Sequence, residues 1–290
     1  MRSAVGAPWR QFLTPTWLLG HALMVTVVIS FSNFGAWQLR RHQERVARNA
    51  QIEQRLAAPA VSLETALREA ESARASVAGA AGAVTAPASA GIDPLEYTRV
   101  RVSGSFEPAH EVLKRPVSRS GAPGYHVVTP LVLDDGSAVL VERGWVPQSH
   151  GSVPVVEAPP PTGRVTLQAL AFPSQSPPSG ILASLAPRDP PEGSLEQVAY
   201  VDVVRLGQQV PYPLQPLRLV AEAAPDQRLA SAPGYGAALP LPPEPPEVSM
   251  GPHLGYAIQW YAFVAITVIG YGALLRRRAR EATATPGLGP

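Results

Sequence analysis

Residues able to do chemistry gather at one point, the stretch "PHLGYAIQWYAFVAITVIGY" at 252–271. At about 100° per residue, His253, Tyr256, Trp260, Phe263, Thr267 and Tyr271 fall within an arc of roughly 80° on a helix. The result is an aromatic stripe headed by an imidazole. Two readings of His253 stay open. It is an interfacial histidine anchoring the helix end, or it is an axial ligand of a porphyrin iron. The second reading needs a neutral imidazole, an aromatic and aliphatic wall, and a cation for the propionates. Tyr256, Trp260 and Phe263 could form the wall. Arg40 and Arg41 could supply the cation, provided a second helix runs antiparallel beside the first.

Elsewhere the chemistry is sparse. Asp134 and Asp135 are adjacent carboxylates, but they stand where a hairpin needs turn residues. His110, His126 and His150 are scattered without ligand spacing. Arg143 and Trp145 in "ERGWVP" suit either a recognition surface or an ion pair beside a core aromatic. The sequence has no G-x-S-x-G elbow, Gly-rich phosphate loop or H-E-x-x-H motif, so no enzyme is expected. With no cysteine among 290 residues, disulfides, thiolate zinc sites, iron–sulfur clusters and covalent CxxCH haem are excluded.

The elements that must position these residues follow from composition. Charged residues make up only 16% of the chain and hydrophobic ones 46%, against about a quarter charged in average soluble proteins. Net charge is +2, and no basic stripe interleaved with aromatics appears, so no nucleic-acid partner is expected. Two apolar runs, 17–39 and 253–275, are each long enough to cross a bilayer as a helix. Trp17, Trp37, Tyr256, Trp260 and Tyr271 lie towards their ends, where amphipathic rings favour the interface. The first run is too long for a secretory signal and lacks a small-residue cleavage site, which predicts a retained anchor. The basic cluster "RRRAR" at 276–280 predicts a cytoplasmic C-terminus, and two spans then place the N-terminus there too. Polar groups inside a membrane helix should face protein, so the Thr26, Ser30, Asn33 and Trp37 stripe of the first span is expected to meet the stripe of the second or a partner.

Between the spans, residues 40–75 read as a helical linker broken at Pro59, with Ser62 capping a second helix. Residues 76–92 are a small-residue low-complexity insertion. Alternating segments at 97–106, 125–133, 138–146, 164–172, 199–206 and 216–224 predict strands. The "DDGS" sequence predicts a tight hairpin between the second and third of them. The expected whole is an α+β membrane protein. A cytoplasmic N-terminus (1–16), the two spans and a basic tail (276–290) frame an antiparallel β-rich domain at 93–252, a small sheet or partial barrel outside the cytoplasm.

Four segments in order resemble a known family. "FGAWQLRR" is similar to a G-x-W-Q-x-x-R signature, and "YTRVRVSGSF" to a Y-x-x-V-x-x-x-G-x-F strand. "GYHVVTPLVLDDGSAVLVERGWVP" is similar to a G-Y-x-V-x-T-P-L block ending in R-G-W-V-P, and "HLGYAIQWYAFVA" to an H-x-x-Y-A-x-x-W-F segment. Together they resemble the surfeit locus protein 1 family of cytochrome c oxidase assembly factors. The resemblance implies a cell-membrane protein, part of the respiratory chain's assembly apparatus, that holds or delivers haem a to the oxidase catalytic subunit alongside other assembly factors. It implies His253 as ligand to the haem iron, with Tyr256, Trp260 and Arg41 around the cofactor. Its other motif positions are Gly35, Trp37, Gln38, Gly124, Tyr125, Thr129, Pro130, Gly136, Arg143, Gly144 and Trp145. Glu142 stands where the family commonly has Asn, and Tyr261 where it has Phe. A competing expectation is a scaffold that docks an oxidase subunit and never touches haem.

Overall fold

The structure, a computed structural model, describes residues 12–81, 92–180, 184–223 and 238–284. The chain divides into two units: residues 1–50 with 248–290, and residues 51–247. The expected tail residues 285–290, the N-terminal eleven and most of the low-complexity insertion (82–91) lie outside the described residues.

The first unit is built on two long helices. Helix α1 spans Pro15–Ala57, and the last helix, α4, spans His253–Ala284. Both are long and apolar enough to cross a membrane, with a mean hydropathy of 1.6 over their apolar windows. Neither stops where its apolar run ends. The 43 residues of α1 amount to about 65 Å of helix, twice a hydrocarbon core. The expected linker therefore begins as an unbroken continuation of the first span, because "RRHQERVARNAQIEQRLA" contains no Gly or Pro to end it. Leu19, Leu23 and Ile29 of α1, and Ile258, Ile266 and Ile269 of α4, are exposed. Such apolar faces, unpartnered in water, suit lipid.

The second unit is a β-barrel with a helix against it. Strands β2 (Thr98–Phe106), β4 (Ala122–Val132), β5 (Ala138–Pro147), β6 (Arg164–Pro173) and β8 (Leu214–Ala221) pair in the order β2–β6–β8–β5–β4. The ring closes where Ser105 and Phe106 of β2 meet Val132 and Leu131 of β4. Gly104 permits that closure, since a Cβ there would lie 2.3 Å from the Val132 carbonyl oxygen. Most pairings are antiparallel, as expected, but β5 and β8 run parallel. Alternation fills the interior with Val100, Val102, Leu131, Val139, Val141, Ala169, Ala171, Leu217 and Leu219. Helix α2 (Leu63–Ala81) adds Leu63, Ala66 and Ala70, spaced along one helical face, to the same core. Ser62 caps it as expected, its Oγ accepting from the Thr65 amide at 3.1 Å. The helix runs to Ala81, so the small residues from 76 that read as an insertion begin as helix; alanine's high propensity explains this.

Further elements complete the domain. Strand β1 (Val61–Ser62) pairs with β2, while β3 (Val112–Arg119) pairs with β4 and carries β7 (Gln197–Val198) on its other edge. The strand expected at 199–206 is instead helix α3 (Val203–Gly207). The "VDVV" alternation suggested extension. The Asp202 carboxylate, however, accepts from the amides of Val204 and Arg205 at 2.9 and 3.2 Å and so caps a helical turn. Val203 and Leu206, three apart, are buried with Val128, Leu140 and Val198 on the outside of the barrel. The "DDGS" reversal forms as expected. The Leu133 amide donates to Ser137 O at 2.8 Å, and Gly136 takes the left-handed conformation at φ 79°.

Candidate functional site

Within the first unit, α1 and α4 pair antiparallel over most of their apolar length. His253 Nδ1 lies 2.9 Å from Gln38 Oε1 at one end. At the other, Tyr271 Oη lies 2.6 Å from His21 Nδ1. The separations of 17 residues on α1 and 18 on α4 match, as two straight helices require. Between the ends, Trp260 sits 4.9 Å from Phe34 and 5.2 Å from Phe31, and Phe263 lies 5.8 Å from Phe31 (ring centroids). These offset and tilted ring contacts each stabilise the pair beyond simple burial by about 0.5–1.5 kcal/mol. Gly35 sets the closest approach, because a Cβ there would lie 3.0 Å from the Tyr261 ring.

This pairing uses a different face of α1 from the expected one. Thr26 and Asn33 donate to carbonyls four residues back, Ala22 O at 2.9 Å and Ile29 O at 2.8 Å. These donors are thus satisfied within the helix. Trp37 and Tyr256 are about half exposed. Of the expected cofactor-binding residues, His253 and Trp260 face α1 and Tyr256 stays exposed. Arg41 lies one turn beyond Gln38, on the same helical face. It forms an exposed pair with Glu44 at 3.0 Å. Gln38 entered only as a motif position, and His21, Phe31 and Phe34 were not singled out. The i, i+3 spacing of the two phenylalanines, and the match between the 21–38 and 253–271 separations, were the available signals.

The ring of His253 is held by Gln38 on one side and faces a glycine on the other. Nδ1 is engaged by Gln38, while the Nε2 edge lies against Gly251. A Cβ at Gly251 would come 3.2 Å from Cδ2 and 3.4 Å from Nε2 of the imidazole. His21 differs. Its Nε2 lies 3.1 Å from the Phe12 carbonyl oxygen while its Nδ1 meets Tyr271, so both of its nitrogens are occupied.

The barrel domain holds two buried ion clusters, one on each face of β5, and the motif positions Thr129 and Arg143 belong to the first. On one face, the Arg143 guanidinium donates to Glu111 Oε2 at 2.7 Å, to Thr129 Oγ1 at 2.7 Å and to Ala158 O at 2.8 Å. Glu111 also accepts from the Thr129 hydroxyl at 2.6 Å and the Val155 amide at 2.9 Å. On the other face, the fully buried Glu142 accepts from Arg218 and from Lys114, and lies 3.1 Å from His126 Nδ1. Burial pushes the Glu142 carboxyl up. The His126 hydrogen bond and the charges of Arg218 and Lys114 outweigh it and hold the group at about 2. Lys114 fares oppositely: its burial exceeds what Glu142 returns, and its ammonium is held below the usual lysine range.

The remaining motif residues are structural. Gly124 leaves room for the Trp145 ring, and Tyr125 packs beside Leu113 and Val155. Pro130 accepts from the Glu107 amide at 2.9 Å. Gly144 admits Leu241, whose backbone exchanges two hydrogen bonds with Trp145 at 2.7 and 2.8 Å. That bridge straps the proline-rich segment onto the barrel. A cavity of about 360 Å³ lies under the strap, lined by Arg99, Arg119, Leu170, Val220, Glu222 and Pro242. Arg99 is already held by Glu222 at 2.8 Å. Among the described residues no three His, Asp or Glu side chains gather as a metal site.

Two long apolar helices framing a barrel domain define an α+β membrane protein. More narrowly, the chain belongs to the SURF1 family, whose model matches residues 25–265. It is 28% identical over 281 residues to a SURF1-like protein of Mycobacterium bovis, covering 94% of this chain and 90% of that one. Shorter matches reach a SURF1-like protein of Dictyostelium discoideum, 36% identical over 66 residues (22% of this chain, 24% of that one). They also reach the cytochrome oxidase assembly protein SHY1 of Saccharomyces cerevisiae, 40% identical over 52 residues (18% of this chain, 13% of that one).

Proposed function

We propose that this protein is a membrane-anchored assembly factor for the haem–copper cytochrome c oxidase and that it holds haem a for the catalytic subunit. Membership of the SURF1 family and the match to the yeast assembly protein support the assembly role. The observation that carries the haem reading is His253, with Nδ1 engaged by Gln38 and its Nε2 edge facing Gly251, which has no side chain to crowd it. The residues present fit the group. His253 would hold the iron through Nε2, and the rings of Trp260, Phe31, Phe34 and Phe263 offer the macrocycle an aromatic face. Arg41 would pair with a propionate. Its present partner Glu44 is exposed, and such a pair is worth at most about 1 kcal/mol, so exchange costs little. The bound group would supply the redox-active iron of the client. The chain's part is to bind and orient it and to keep one imidazole face on it.

The experiment is haem content. Protein purified from cells making haem a should carry a Soret band that His253→Ala abolishes. Equal haem stoichiometry in both would refute ligation by His253 and leave the reading as a scaffold that docks an oxidase subunit.

Orientation belongs to the same proposal: both termini cytoplasmic, the barrel outside, in the cell membrane. Arg276, Arg277, Arg278 and Arg280 directly follow the apolar part of α4. Arg40, Arg41, Arg45 and Arg48 after the first span weigh the other way, but the positive-inside bias weakens ahead of a long domain. Reporter fusions at Pro290 and near Ser89 should report opposite sides; an external signal at Pro290 would reverse the topology.

A further inference from the structure

We infer that Gln38 is a positioning residue that fixes the tautomer of His253, so that the ring's free lone pair sits on Nε2. The amide oxygen of Gln38 lies 2.9 Å from Nδ1. An amide oxygen only accepts, so Nδ1 must carry the proton and donate it. In a neutral imidazole the other nitrogen then holds the lone pair. Two further observations point the same way. The Nε2 edge faces Gly251, which lacks the side chain whose Cβ would stand 3.4 Å from the nitrogen. The second histidine of the helix pair shows the opposite arrangement. Its Nε2 faces a carbonyl oxygen, which forces a proton onto Nε2, and its Nδ1 takes the Tyr271 hydroxyl proton. His21 has no lone pair left to give, while His253 has one. That this lone pair goes to a porphyrin iron rests on the reading above; that Gln38 sets the tautomer does not.

The physical role is that of an outer partner to a metal ligand. Such a partner orients the ring, fixes which nitrogen is bare and raises its basicity, and its loss costs about 10–100-fold in affinity. Gln38 comes from the other helix, so it also ties ligand presentation to the pairing of α1 with α4.

The test uses the full chain in detergent, labelled with nitrogen-enriched histidine, first without haem. In nitrogen NMR, His253, assigned through His253→Ala, should show a protonated Nδ1 and a bare Nε2. His21, assigned the same way, should show the reverse. Gln38→Leu should release His253 into a mixture of tautomers. Gln38→Glu, whose carboxylate can only accept, should keep the wild-type tautomer. A protonated Nε2 on His253 in the wild type, or an unchanged tautomer in Gln38→Leu, would overturn the inference. In the second arm, titrated with haem, Gln38→Leu should weaken binding by about 10–100-fold and shift the Soret band, with Gln38→Glu restoring both. If His253→Ala keeps its haem, the ligation reading falls while the tautomer result still stands on its own. If His253→Ala loses haem and Gln38→Leu binds like the wild type, Gln38 has no positioning role.

Discussion

The barrel domain and the helix pair treat their polar groups in opposite ways. In the barrel, Glu111 and Glu142 are almost fully buried, and each is surrounded by donors from neighbouring elements: Arg143, Thr129 and Val155 for one, Arg218, Lys114 and His126 for the other. The helix pair is held largely by rings and a close glycine approach, and among the described contacts its His253 is engaged through Nδ1. A buried charge whose hydrogen-bonding capacity is taken up inside the fold stabilises one conformation but has nothing left for a ligand. The haem reading proposed above therefore rests on the region with fewer polar groups, where His253 is held through Nδ1 alone among the described contacts.

Breaking the barrel's side of this contrast should give the largest effect. Arg143→Ala leaves the Glu111 carboxylate buried with only the Thr129 hydroxyl and the Val155 amide. Removing one member of a buried pair typically costs about 3–5 kcal/mol. In the full chain, amide hydrogen exchange of β4 and β5 should accelerate by a matching factor, while the His253 tautomer signal stays put. Replacing both partners by apolar residues, Arg143→Met with Glu111→Leu, should lose less, because no unpaired charge remains. If the single variant exchanges like the wild type, this cluster is not a structural keystone and Arg143 becomes available as a recognition residue after all.

The sequence carried much of this contrast, but unevenly. Strands with clean alternation, such as 164–172, are read correctly because a period of two needs only local information. Strand β3 was missed because Lys114, Arg115 and Pro116 interrupt any alternation. Its register indeed shifts between Lys114 and Val117. Glu142 registered only as a departure from the family pattern. Its three partners, Lys114, His126 and Arg218, come from three other strands, at separations of 16 to 76 residues that no local pattern encodes. In the helix pair, phase correctly put His253 and Trp260 on the inner face of α4. It gave the wrong face of α1, because Thr26 and Asn33 satisfy themselves within the helix and so carry no information about neighbours. Gln38 was visible as a motif letter, but its task depends on an antiparallel register that only the structure supplies.

Acid sharpens the same comparison with a smaller effect. The Glu142 carboxyl is held at about 2 in the folded protein, against an ordinary 4.5. A group whose folded value is depressed adds stability that is complete above its unfolded value and disappears as pH falls through the folded one. Glu142 should thus contribute about 3 kcal/mol near neutrality, lost progressively between about pH 4.5 and 2. Lys114 acts with the same sign at the alkaline end. Its depressed value means the unfolded chain binds the extra proton, so stability rises with pH there as well. Exchange from β5 amides, followed between pH 5 and 2 and corrected for intrinsic rates, should rise steeply in the wild type. In Glu142→Gln it should start higher and lose most of that acid slope. The pairing of α1 with α4 buries no ionised carboxylate among its described contacts, so exchange from its ring-packed segment around Trp260 should stay flat over the same range. A parallel loss in both regions would mean that the barrel's ion clusters hold more than the barrel.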